Sequence, residues 1–390
     1  MNGVSTTREP HEVIPSSRRA RLGAVLAAPL SWLVWLPLVS LSCGSPGPAS
    51  IPVTVNRYDA LSPETMPAFR EARALLAAGE VHGARAAFQR LFDAAPDNVL
   101  VGVWLQEADL AATRAELSDE ARAEIDLARR FAAEAEAHPT VTNWILAARL
   151  ARDEAQRTRY LDQAEALDPQ CAWVHYARAF VAARAFDWPV ARARIARAKE
   201  ADPGHLWTWW LEAWIATRTS SLDESASLLA GFVARAADDP RVDPRLLADS
   251  RLDLALVWTL RGDTREARDL IARIDPRDVD ASRRLAALSS IEQALGELTT
   301  ALAAAQDAAR LAPDDILPIV QQALLYDEWL GDAERAEAAW KLVLERARTS
   351  SQVTSVLERT RAGIRLERFQ ARRAARAGAD ADATTRDPER

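Results

Sequence analysis

Apolar residues recur every three or four positions along most of the chain, and the runs break at intervals on glycine and proline. The window that reads most plainly covers residues 285–315. There Leu285, Leu288 and Ile291 form one apolar series, Gly296 interrupts it, Ala301, Ala305 and Ala308 form a second, and Pro313 stops it. Such spacing places each series on one face of a helix; glycine supplies the turn, and proline cannot continue the second helix. The window predicts a helical hairpin. The same punctuation returns near residue 68: Gly79 marks a turn, Ala84 and Phe88 follow four apart, and Pro96 closes the unit. Ala191, Ile195 and Pro203 repeat this order, as do Ala301, Ala305 and Pro313, while Phe232 with Pro240 and Leu161 with Pro169 keep its second half. Pro169, Pro203, Pro240, Pro276 and Pro313 stand 34, 37, 36 and 37 residues apart. That period predicts eight hairpins between about 64 and 350.

The first helices carry a second signal. Trp173, Tyr176, Ala177 and Phe180 follow the order large, large, small, aromatic, and Leu254, Ala255 and Trp258 keep part of it. Together with the alanine, bulky residue and proline of the second helices, this resembles the tetratricopeptide repeat over roughly three quarters of the chain. The resemblance implies an all-α protein, a right-handed α-solenoid whose first helices line a concave groove that binds a protein or peptide segment. Residues 64–350 are expected to form it. Val353, Val356, Leu357, Ile364 and Phe369 recur at helical spacing among arginines, so residues 351–376 read as a C-terminal capping helix. Residues 377–390 are polar and read as a disordered tail.

The start of the chain has another character. Arg18, Arg19 and Arg21 precede residues 22–42, which carry no charge, and Cys43 follows. This resembles a bacterial lipoprotein signal, which implies that residues 1–43 direct export and that Cys43 is lipidated. The chain would then be a membrane-anchored lipoprotein of the cell envelope, facing the periplasm or the exterior. An uncleaved single-pass anchor in the inner membrane is the alternative, since about 20 apolar residues span a bilayer. Residues 44–63 hold four prolines with glycine and serine and read as a tether.

Charge and composition narrow the function. The formal net charge is −7, and residues 1–42 contribute +2 to it, so the remainder carries −9 with acids and bases interleaved. No nucleic-acid partner is expected. The two cysteines, Cys43 and Cys171, leave no internal disulfide if Cys43 is acylated, and Cys171 reads as a small buried apolar residue. Five histidines show no metal-ligand spacing and no nucleophile context, and no glycine-rich loop follows a strand. No catalytic residue, metal or cofactor is expected; His175 and His205, near tryptophans of adjacent repeats, read as core or surface histidines.

Residues 205–218, HLWTWWLEAWIATR, concentrate four tryptophans. Trp207, Trp210 and Trp214 share one helical face and are the candidate groove residues, with Trp209 assigned to the core beside Ala213; packing of all of them against neighbouring helices is the alternative. Arg149, Arg152, Arg178 and Arg218 would flank the groove, a surface suited to an acidic or aromatic peptide or to a glycan. The lysine-based carboxylate clamp of some tetratricopeptide proteins is missing, because Lys199 and Lys341, the only lysines, fall on second helices. The leading expectation is a non-catalytic cell-envelope scaffold for protein interaction. A glycan- or peptidoglycan-binding protein and a structural subunit of a secretion or outer-membrane assembly complex are the alternatives.

Overall fold

A computed structural model describes residues 58–116, 120–349, 360–372 and 375. The expected signal, Cys43, most of the tether and the C-terminal tail lie outside them. The described residues form helices in antiparallel pairs: α1 (Met66–Ala77) with α2 (Val81–Ala94), α3 (Val99–Glu116) with α4 (Glu120–Ala137), α5 (Val141–Leu150) with α6 (Glu154–Leu167), α7 (Ala172–Arg184) with α8 (Trp188–Ala201) and α9 (Leu206–Thr219) with α10 (Leu222–Ala236). These are followed by α11 (Pro244–Arg261) with α12 (Thr264–Ala272), α13 (Ala281–Leu295) with α14 (Leu298–Leu311), and α15 (Leu317–Leu324), prolonged by a π turn (Leu325–Leu330), with α16 (Ala333–Thr349). That is eight hairpins, and a further helix over 360–372 follows. No strand occurs among the described residues, so the fold is all-α and of solenoid type.

The punctuation read from the sequence has physical substance. Ala84, Phe88, Ala191, Ile195, Ala301 and Ala305 are all buried, because small residues let paired helices approach while a larger one fills the seam to the next pair. Several first turns are closed by side chains. Thr140, Asp153, Asp187, Ser221 and Asp280 each accept a hydrogen bond from a backbone N–H three residues on.

The chain divides into two compact units, one ending at Asp243 and the other beginning at Pro244. In the second, Ala248, Leu252, Ile271 and Ile291 build one core, and Ile319, Leu324, Trp340 and Val343 another. Ala362 and Phe369 join the latter core, and Arg365 reaches Asp327 at 3.0 Å and Glu328 at 2.5 Å in the π turn, so the 360–372 helix covers the last hairpin.

The first unit departs from expectation at its start. The tether read over 44–63 does not extend to Ser62, because Tyr58 and Asp59 are buried, each 3% exposed. The Tyr58 hydroxyl donates to Asp168 Oδ2 at 2.7 Å, Asn98 Nδ2 donates to the Ala60 carbonyl at 2.7 Å, and Arg241 Nη1 lies 3.6 Å from Asp59 Oδ2. Residues 58–60 thus form a strap from the start of α3, past the loop before α7, to the loop behind α10. Arg73 of α1 donates to the Pro240 carbonyl in that same loop, so this five-hairpin unit closes on itself. Composition marked the segment as spacer, but one buried aromatic ring with two hydrogen bonds and an ion pair outweighs the prolines around it.

Candidate functional site

Aromatic rings fill the seams between the fourth and fifth hairpins. Trp207 on α9 lies 6.0 Å from Trp173 on α7, Trp210 stacks on Phe180 at 6.5 Å, and Trp214 sits 6.5 Å from Trp188 on α8. Shifting Trp173, Tyr176, Ala177 and Phe180 by 34 residues lands on Trp207, Trp210, Leu211 and Trp214. Leu211 is fully buried.

That register corrects the expected one by two residues. Trp209 does not enter the core. It is half-buried between Lys199 and Arg235, whose charged groups lie 3.8 and 4.0 Å from its ring, and its Nε1 donates to the Pro203 carbonyl at 2.9 Å. The physical reason is that α9 is enclosed on nearly every side: Leu206, Thr208, Leu211, Ala213, Ile215 and Ala216 are all buried, so no single apolar face betrays the register. Trp207, Trp210 and Trp214 are half-buried, each with a neighbour on one face and solvent on another part of the ring.

The four arginines part company. Arg149 donates to Gln106 Oε1 at 3.1 Å and pairs with Glu107; Arg178 holds Asp162 and Glu165, each at 2.6 Å. Both are therefore ion-paired within the fold. Arg178 and Arg194 together hold the Glu165 carboxyl below its usual range against the opposing effect of burial. Arg218 caps Trp214, its guanidinium 3.8 Å from the ring centre. Arg152 is exposed and lines an alanine-floored pocket of about 410 Å³ with Arg129, Arg159 and Tyr160.

Both histidines are packed. His205 is fully buried, its ring 4.7 Å from Trp173 and its Nδ1 2.7 Å from Thr208 Oγ1, and burial pushes its pKa down to about 3. His175 Nε2 lies 3.0 Å from the Pro169 carbonyl, and burial lowers its pKa too. Cys171 is buried. Among the described residues no histidine, cysteine or carboxylate group is arranged to hold a metal, and no helix is long and apolar enough to cross a membrane.

One surface escaped the sequence reading. At the turn between α7 and α8, Phe186 N donates to the Ala183 carbonyl and Asp187 N to the Ala182 carbonyl, at 3.1 and 2.9 Å. Gly79, Gly262 and Gly296 close their helices with the same pair of bonds. Phe186 adopts φ 60°, and among the described residues it alone of the non-glycines has a positive φ. Its ring is 56% exposed and meets Trp188 edge-on at 5.6 Å. Aligning LAAGE of the first hairpin with ARAFD of the fourth would have exposed the substitution.

No protein-family model matches this sequence, and no curated protein does. Solved structures do resemble it. The APC/C hetero-tetramer Cut9–Hcn1 aligns at 14% identity and a TM-score of 0.53, covering 75% of this chain and 54% of that one. Yeast Tom70 aligns at 17% identity and a TM-score of 0.43 over 79% of this chain and 62% of its own. A tetratricopeptide repeat protein from Parabacteroides merdae ATCC 43184 aligns at 12% identity and a TM-score of 0.40, over 67% and 99%. The chain therefore spans less than two thirds of the first two. Stacked helical hairpins at a period near 34 residues, with the likeness to Cut9–Hcn1, give this chain a tetratricopeptide-type fold.

Proposed function

We propose that this protein is a non-catalytic interaction scaffold of the cell envelope, held to a membrane through Cys43 or through the apolar segment before it, and that it binds a protein segment. The observation carrying this reading is the row Trp207, Trp210 and Trp214: three tryptophans rooted in packing yet part-exposed, the last capped by Arg218. Tryptophan and arginine dominate the binding energy of protein interfaces, and rings already ordered by their neighbours lose little entropy on binding. The fold itself is neutral as to partner.

The test is site-specific photo-crosslinking from position 218 or 152 of the full-length chain in its native membranes. A stoichiometric protein adduct, lost when Trp207 and Trp210 are replaced by alanine, is the expected result. Adducts to glycan strands instead would transfer the assignment to peptidoglycan binding, and no adduct from either position would refute both.

A further inference from the structure

We infer that the turn between α7 and α8 is a docking tip for an acidic peptide segment that presents an aromatic or large aliphatic side chain; this rests on, and sharpens, the interaction reading above. The closing bonds at Phe186 match those at Gly79, Gly262 and Gly296, and the φ of 60° they impose is one that a bulky L-residue resists and glycine accepts freely. The ring meets Trp188 edge-on and still stands 56% exposed. Strain held at an exposed apolar residue is the mark of a position kept for contact.

What surrounds the ring defines the occupant. Trp188 meets Phe186 edge-on and continues to Trp214, and Val190, 46% exposed, stands on the first turn of α8. The roots of Trp188 and Trp214 are fixed on the core formed by Ala183, Ala191, Ile195 and Ile215, so the shelf is preorganised. Its polar border is cationic. Arg218 covers Trp214, Arg192 is held beside it by a 2.6 Å bond to Thr219 Oγ1, and Arg184 is exposed two residues before Phe186. Asp187, at the turn itself, is engaged in capping α8 through the Val190 N–H. An apolar shelf rimmed by arginines selects an apolar side chain flanked by carboxylates.

The test titrates the full-length protein in detergent with the peptide Asp-Glu-Asp-Phe-Asp-Glu, read by tryptophan fluorescence, beside versions with alanine for phenylalanine and with Asn/Gln for the acids. The expected result is saturable binding weakened at least about tenfold by either change, since each removes one of the two recognition elements. Phe186→Gly should melt no lower than the wild type, because it relieves strain, and should bind at least about tenfold more weakly. Val190→Asp, at the start of α8, should weaken binding in the same way without touching the turn. No saturable binding by the wild type, equal binding by Phe186→Gly, or a lowered melting temperature in that variant would each overturn the tip. If crosslinking from position 218 persists in Phe186→Gly, the tip falls while the scaffold reading stands; if the wild type yields no adduct, it is the scaffold reading that falls.

Discussion

Single residues set the electrostatics of the first unit, and two of them oppose each other. Burial raises the Asp59 carboxyl to about 7 from its ordinary 3.8; nearby Arg241 resists this, and Asp202 and Asp239 add to it. Its contribution to stability is complete below pH 3.8 and disappears as pH rises through 7, because the folded chain keeps a proton that the unfolded chain gives up. His205 behaves in reverse: at about 3 against 6.5, its contribution is complete above pH 6.5 and is lost as pH falls toward 3. Between pH 3.8 and 6.5 the two slopes oppose, so this pair leaves wild-type stability nearly flat there. Asp59→Asn should unmask a stability that climbs with pH across that window, and His205→Asn one that declines. Chemical denaturation at half-unit steps of pH checks both. Neither residue was legible in advance. Asp59 sat in a proline-rich stretch whose composition speaks for a spacer, and the charges that act on it come from positions 202, 239 and 241, far along the chain.

Elements were far more legible, because a hairpin repeat writes its turns and closest contacts in small residues and prolines. The close approach of Ser289 Oγ to the Ala301 carbonyl, 2.7 Å, joins two helices that the alanine spacing had already paired. Helix α9 shows the limit: when a helix is buried all round, periodicity reports its existence and not its orientation. Another contact is equally hidden in composition. A Cβ added at Gly102 of α3 would lie 2.6 Å from Leu146 of α5 and 3.1 Å from Phe92 of α2. Gly102→Ala should therefore destabilise the first unit by about 1–3 kcal/mol despite the better helix propensity of alanine. A thermal melt that is unchanged or raised would show that α3 can shift at no cost.

At the scale of the whole molecule the proposed membrane attachment carries its own prediction. If Cys43 is lipidated, labelled palmitate should enter the wild type and not Cys43→Ser, and the variant should accumulate as a larger, unprocessed chain. An uncleaved anchor predicts no label and membrane retention in both. Under the proposed attachment, the strap has a mechanical corollary. Tension arriving from residue 57 would meet Tyr58 and Asp59 first, and their bonds to Asp168 and Arg241 divide that load among hairpins remote from one another in the chain. The five-hairpin unit would be sheared as one body, where an array gripped by its first helix would be unzipped pair by pair.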